Sequence, residues 1–320
     1  MLHYEPKDLS VPEVHRLLLG GVAPRPIALV STISEDGINN LSPFSFFNAF
    51  GANPPIVAFS PSRRGRDATL KDTYNNLVAT KECVIQAVTH SMVEQVSLAS
   101  AEFPPDYDEF IKSGLTPIDS DLVKPKRVKE SPFQMECKLL EMRSFGEGGA
   151  SANLAICQVL KFHVAEDLFT KGIIDPLKID LVARMSGSFY SRAADGVFIL
   201  EQPVGKKCIG YDQVPLHIRQ SEIYSANDLG KFGSSESIPN ESEVKDFIKK
   251  IKEEKLEQFE SGYDAFLRYQ RLNDHKRMLK AALELSETQK INIQLSVKCA
   301  LQNNDIDFAW KAALFVGIIK

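Results

Sequence analysis

Asp36-Gly37 stands between two apolar runs, Pro24-Arg25-Pro26-Ile27-Ala28-Leu29-Val30-Ser31-Thr32 and Asn39-Asn40-Leu41-Ser42-Pro43-Phe44-Ser45-Phe46-Phe47-Asn48. Both residues of the step tolerate positive φ, which a tight turn between right-twisted strands demands, so the pattern predicts an antiparallel hairpin. A third run, Pro54-Pro55-Ile56-Val57-Ala58-Phe59-Ser60, extends the expectation to an antiparallel meander. The second run is unusual for a strand, because Ser42, Ser45 and Asn48 interrupt its aromatics and Pro43 cannot donate to a central ladder. It reads as a sheet edge whose free amides and hydroxyls face a ligand.

Directly after the meander, Ser60, Ser62, Arg63, Arg64, Arg66, Thr69, Lys71 and Thr73 crowd into one short stretch of a chain whose formal net charge is -4. Cations give charge-assisted bonds to phosphate oxygens, hydroxyls add short neutral ones, and Asp67 and Asp72 can orient the cations or cap a helix whose amides also face an anion. The alternative is a solvated loop tied by surface salt bridges. Leu70, Tyr74, Leu77 and Val78 recur at helical spacing, which predicts a helix over about Thr69 to Thr80 with Lys71 and Thr73 at its start. A phosphate there would gain from the helix dipole as well as from Lys71.

Further along, Cys83–Val88, Gln134–Arg143 and Leu154–Val164 read as strands, with Phe145-Gly146-Glu147-Gly148-Gly149-Ala150 as a flexible connection between the last two. That glycine-rich loop has the composition of an anion cradle, but Glu147 inside it favours a plain hairpin turn. His90–Ser100 and Asp106–Ser113 read as short helices separated by Phe103-Pro104-Pro105. The order is α+β rather than alternating βαβ, and no G-x-G-x-x-G follows a strand, which disfavours a doubly wound dinucleotide fold. The acidic balance offers no basic face for nucleic acid. No apolar stretch is long enough to span a bilayer, Phe308–Ile319 being too short and holding Lys311. Cys83, Cys137, Cys157, Cys208 and Cys299 show no paired spacing, which argues against a disulfide framework or zinc site and fits a reducing cytoplasm. The opening Met1–Asp8 lacks the charged start and apolar core of a secretory signal, so export is not expected.

Pro24-Arg25-Pro26 with Ser31-Thr32, Asn40-Leu41-Ser42-Pro43-Phe44-Ser45-Phe46-Phe47, Pro54-Pro55 leading to Ser60, and Lys71-Asp72-Thr73 together resemble the flavin reductase-like family. Glu109 to Leu115, Val123-Lys124-Pro125, Arg127-Val128, Glu130-Ser131-Pro132 and Glu136-Cys137 add to the likeness, which runs to about residue 215. It departs at Gln86, where relatives carry Asn, and at Ser186, where a second Gly is expected. The resemblance implies an α+β, mainly antiparallel split β-barrel that binds FMN, with short helices. It also implies a homodimer with flavin near the interface, and NAD(P)H as a transient electron donor. The cofactor-binding set it implies is Arg25, Ser31, Thr32, Ser45, Phe46, Phe47, Asn48, Ser60, Arg64, Lys71, Asp72 and Thr73.

The chemistry of a flavin fits these residues. A ring needs an apolar slot, for which Phe44, Phe46 and Phe47 are candidates, although alternation turns at least one into the core. Thr32, Ser45 and Asn48 suit the ring edge and ribityl chain, and Ser60, Arg64, Lys71 and Thr73 suit the phosphate. Because the flavin carries the chemistry, no essential acid–base pair is expected. His163 is a weak catalytic candidate, better read as a hydrogen-bonded structural histidine, and Arg184 and Tyr190 could close the site. The expected function is NAD(P)H-dependent flavin reduction, serving an oxygenase or another electron acceptor. The alternatives are an electron carrier of the flavoredoxin type and a non-catalytic FMN module with a partner-docking tail.

Composition shifts near Asp212. Residues 1–211 are expected to form the flavin domain, 212–242 a linker rich in Ser, Asn, Gly and charge, and 243–320 a helical extension. Asn240-x-x-Glu243 makes a capping box, and Val244, Phe247, Ile248, Ile251, Leu256 and Phe259 follow in helical rhythm. Further helices are expected over Tyr263–Leu285, Gln289–Leu301 and Asp305–Ile319, with a strand as an alternative where Ile291, Ile293, Leu295 and Val297 alternate.

Overall fold

The computed structural model describes residues 1–200, 202–285 and 289–319. Residues 286–288 and Lys320 of the expected helical extension lie outside that set. The chain forms two compact units, Met1–Ile199 and Leu200–Lys320.

The first unit holds strands β1 (Arg25–Pro26), β2 (Ala28–Ile33), β3 (Asn39–Phe44), β4 (Phe47–Ala52), β5 (Pro55–Phe59), β6 (Glu82–Ala87), β7 (Pro117–Ile118), β8 (Arg127–Val128), β9 (Phe133–Phe145), β10 (Ala152–Val164), β11 (Phe169–Thr170), β12 (Ile173–Ile174), β13 (Val182–Arg184) and β14 (Tyr190–Arg192). Its helices are α1 (Val11–Gly21), α2 (Asp72–Thr80), α3 (Val93–Leu98), α4 (Glu109–Ser113) and α5 (Pro176–Ile179). Seven strands form one antiparallel sheet in the order β3-β2-β6-β9-β10-β5-β4. Its two edges, β3 and β4, are consecutive in the chain. Phe44 ends one and Phe47 begins the other, so these edges stand at most ~10 Å apart there. The sheet therefore curls into a barrel left open along the β3/β4 seam, and Ser45-Phe46 cross that seam.

The predicted hairpin forms as expected. Gly37 adopts φ +85° and Ser34 N donates to Ile38 O at 2.9 Å. Along β2 the side chains alternate: Ala28 and Val30 join the barrel interior with Phe44, Phe59, Ile85, Cys137 and Val159, whereas Leu29 packs outside with Leu41, Phe110 and Val128. Helix α2 is shorter than predicted, because Asp67 accepts both the amide and the hydroxyl of Thr69, and Arg64 takes the Leu70 carbonyl. These bonds hold 69–71 as loop, with Lys71 as the N-cap.

The second unit contains α6 (Leu216–Arg219), α7 (Ala226–Gly233), α8 (Glu241–Glu253), α9 (Tyr263–Arg271), α10 (His275–Ala282), α11 (Gln289–Gln302) and α12 (Ile306–Ile318). The capping box at Asn240 and Glu243 is made, with bonds of 3.0 and 2.7 Å. Two expectations change, and one alternative drops out. Residues 212–242 are not a bare linker: Val214, Ile218, Leu229 and Phe232 are buried in the core shared with Phe266, Met278 and Trp310. The helix expected over 263–285 breaks where Asn273 turns to φ +55° and Asp274 caps α10. The alternating 291–297 stretch is helical, since Ile293 and Val297 bury one face at i, i+4. No helix among the described residues is long and apolar enough to cross a membrane.

Candidate functional site

The loop between β5 and α2 gathers the predicted cations. Ser60 closes onto the seam, its amide donating to Phe46 O at 2.9 Å, and its hydroxyl lies 3.0 Å from that of Ser62. Arg64 donates to Leu70 O at 2.5 Å and to Asp72 at 3.2 Å, so this predicted pair braces the loop. Arg66 is exposed and pairs with Glu102 at 3.1 Å. Two cations remain without a carboxylate at ion-pair distance among the described residues. One is Lys71, half-buried, its Nζ 5.7 Å from the centre of the Phe44 ring. Burial and the neighbouring Arg64 hold its pKa below the ordinary value. The other is Arg63, whose buried Nε has no hydrogen-bond partner although its Nη1 reaches Ala68 O at 2.8 Å. A buried donor left open costs about 1–3 kcal/mol, which an acceptor arriving from outside relieves.

Beside the loop lies a buried polar knot. The Thr73 and Thr32 hydroxyls both donate to Asn40 Oδ1, at 2.8 and 3.2 Å, and Asn76 donates to Thr32 at 3.1 Å. Asn40 in turn donates to Glu109 at 3.3 Å, and Glu109 accepts the Leu41 amide at 3.0 Å. Burial pushes the Glu109 carboxyl above its ordinary range, opposed by these bonds. The knot ties α4 to β3, the start of α2 to β3 and the middle of α2 to β2. Thr32 and Thr73 converge on Asn40, and their protons are spent on it rather than offered to a ligand.

Other predicted residues sort differently. Ser31 points to the opposite face from Thr32 and donates to Lys126 O at 2.5 Å, which takes it out of the site. Arg25 is almost wholly buried and donates to Leu19 O and Val22 O at 2.7 Å and to Met185 O at 2.8 Å; it locks the carbonyl end of α1 to the segment after β13. Its remaining contact, Nε to Ser45 Oγ at 3.4 Å, is weak. Of the three Phe candidates, Phe44 and Phe47 belong to the barrel interior, whereas Phe46 is part-exposed against His15. Asn48 is exposed on β4, its Oδ1 taken by the Ala49 amide at 2.8 Å. His163 lies on the outer face, its Nε2 2.6 Å from Glu136 Oε1. Glu136 also accepts the amides of Asp121, Leu122 and Val123 at 2.9, 2.6 and 3.1 Å, and Asp121 pairs with Lys161. Both Glu136 oxygens are therefore saturated, and this cluster is a structural knot.

The two departures have structural explanations. Gln86 is spent on backbone, donating to Leu29 O at 2.9 Å and accepting from Val128 N at 3.2 Å. At the Arg184–Tyr190 hairpin only Gly187 takes positive φ, +55°, so Ser186 is unstrained. Arg184 donates to Gly187 O at 2.8 Å and stacks on Tyr190, its guanidinium carbon 4.6 Å from the ring centre.

An apolar cavity of about 700 Å³ opens toward the other end of β5 and β10, lined by Phe47, Val57, Phe133, Met135 and Phe162 and by Ile179 of α5. The loop cations do not line it; the seam residues Phe47 and Asn48 do.

Residues 20–178 match the model of the flavin reductase like domain. An uncharacterized protein of Halalkalibacterium halodurans is 38% identical over 200 residues, 62% of this chain and 95% of that protein. The chain belongs to the flavin reductase-like family. Nitrilotriacetate monooxygenase component B from Bacillus cereus is similar in structure, with a TM-score of 0.57 at 32% identity, covering 63% of this chain and 97% of that one. The 2-nitrobenzoate 2-nitroreductase NbaA of Pseudomonas fluorescens gives 0.54 at 25% identity, covering 63% and 96%. This flavin reductase-like chain is thus longer than these relatives, each of which matches a little over three-fifths of it.

Proposed function

We propose that this chain binds FMN, its phosphate held by the loop from Ser60 to Thr73 and the start of α2, and acts as an NAD(P)H-dependent flavin reductase-like oxidoreductase. The observation that carries the reading is that one loop leaves two cations open: Lys71, the N-cap of α2, without a carboxylate at ion-pair distance among the described residues, and Arg63 with an orphaned buried Nε. These residues fit a dianionic phosphate. Bound FMN would supply hydride acceptance, which no side chain provides. Lys71, Arg63 and the Ser60 and Ser62 hydroxyls hold the tail, Arg64–Asp72 keeps the loop in shape, and the apolar wall around Phe47 keeps water from the ring. His163 is engaged by Glu136 outside the barrel and takes no part.

The exposed apolar edge β4, with Phe50 68% exposed, and helix α1, none of whose residues is buried, support a homodimer in which a second copy covers the seam. Five free thiols support a reducing, cytoplasmic setting. The likeness to a monooxygenase component supports delivery of reduced flavin to an oxygenase. The decisive experiment is the absorption spectrum of the purified protein with and without added FMN, followed by NADH or NADPH oxidation with free flavin under air. A colourless protein that takes up no FMN at micromolar levels refutes the reading. Bound flavin reduced only by a protein donor replaces the reductase with an electron carrier.

A further inference from the structure

We infer that the far end of the β9–β10 hairpin, above all Gly149 and Asn153, positions the phosphate-binding loop and thereby sets affinity for the phosphate end of the ligand; the inference rests on the FMN reading above. The contacting residues are 84 to 93 positions apart in the chain, yet the two segments are laced together. Arg63 N donates to Ser151 O at 3.0 Å. Asn153, wholly buried, donates from its amide to Ser60 Oγ at 3.3 Å and from Nδ2 to Pro61 O at 3.1 Å, while its Oδ1 accepts Ser144 Oγ at 2.8 Å. Gly149 lies against the loop backbone: a Cβ there would stand 2.5 Å from Gly65 O, 3.1 Å from Gly65 C and 3.4 Å from Arg64 O. Those are main-chain atoms, which cannot swing aside as a flexible side chain would. Any residue but glycine must push Arg64-Gly65 away, and with them the neighbouring Arg63. The glycine-rich turn is therefore neither an anion cradle nor a passive hairpin loop. It is the backing against which the cations are set. Neither residue is expected to touch ligand, so both are positioning residues.

The neighbouring Gly148 supplies a matched control, since a Cβ there meets only Ser151 Oγ at 3.9 Å. Gly149→Ala, Gly148→Ala and Asn153→Ala are titrated with FMN and with riboflavin, which lacks the phosphate. Gly149→Ala and Asn153→Ala are expected to weaken FMN binding by about tenfold or more, the worth of one charge-assisted bond. Riboflavin affinity stays within about twofold, and Gly148→Ala matches the parent for both ligands. In a Lys71→Met background the Gly149→Ala loss shrinks, because the two changes act on one phosphate site. Equal loss of FMN and riboflavin, unchanged FMN affinity, or additivity with Lys71→Met overturns the inference. If Gly149→Ala does not fold, Asn153→Ala, which removes atoms instead of adding them, decides it. A parent protein that binds no FMN instead refutes the functional reading itself.

Discussion

Lys71→Met removes one half-buried cation and keeps a side chain of similar length. That ammonium lies over the Phe44 ring, and burial, followed by the neighbouring Arg64, lowers its pKa against the weaker opposing pull of Glu102 and Asp72. Its charge is thus a cost that a phosphate dianion would offset. A charge-assisted hydrogen bond is worth about 1.5–3 kcal/mol, so the dissociation constant for FMN should rise about 10- to 150-fold. The unliganded protein should lose no stability, and this opposite response separates a ligand-binding cation from a structural one. The pH dependence follows in sign. A base whose folded pKa lies below its ordinary 10.5 is disfavoured as a cation in the fold, and that penalty is relieved as pH rises through the folded value toward 10.5. FMN affinity should therefore fall as the solution is made alkaline while Lys71 is present, and Lys71→Arg should abolish that fall. Fluorescence titration of FMN at neutral and alkaline pH, with riboflavin in parallel and thermal melts of the unliganded variants, measures every part. A change in FMN affinity below threefold, or an equal loss for riboflavin, refutes the placement of the phosphate at Lys71.

Thr73→Val should cost about 1 kcal/mol of stability by leaving Asn40 one donor short, and should weaken FMN binding far less than Lys71→Met, as paired melts and titrations will tell. Glu136→Ala should destabilise the protein by about 3 kcal/mol or more, because three amides and His163 lose their acceptor; denaturant midpoints report it. Burial raises the Glu136 pKa, but the bonds from Asp121, His163 and Leu122 outweigh it and leave the group below its ordinary 4.5. Its stabilisation is present above pH 4.5 and is lost as pH falls through the lower folded value, so Glu136→Gln should flatten acid unfolding in that window. A chain ending at Ile199 should fold and bind FMN with unchanged affinity, testable by circular dichroism and titration, since every described residue of the barrel core lies before that point.

The hairpin, the sheet edge and the cation loop were legible because each is written locally: Asp36-Gly37 fixes a turn, Pro43 marks an edge, and density of charge marks the loop. Alternation was legible only as a constraint. It dictates that Ser31 and Thr32 point opposite ways, but which one faces the site depends on the packing of Leu29 and Leu41 against Phe110, a contact the local sequence does not contain. Arg25 has the residue type of a ligand and spends it on carbonyls at the end of α1. Asn40 shows no role within its local motif, because its partners are the distant Thr32, Thr73 and Glu109. The misread linker held its own signal in Ser225-x-x-Asp228, which makes a capping box at the start of α7. Its surrounding Ser and Gly hid the burial of Leu229 and Phe232.

Asn153 and Gly149 were invisible for a deeper reason, and the same reason explains how the loop is built. A segment carrying Arg63, Arg64, Arg66 and Lys71 repels itself, and it holds one shape only where each charge is either paired or fixed by something uncharged. Arg64 is paired with Asp72 and Arg66 with Glu102, whereas Arg63 and Lys71 are fixed by backbone and by an aromatic ring. Neutral buttressing leaves their charge unspent, which a carboxylate partner would not. A carbonyl, an amide, a carboxamide and a glycine from the β9–β10 end suit that task because they bring no counter-charge. The residues that prepare an anion site are thus the ones least marked by charge, and they become readable only once the sheet order brings β10 beside β5.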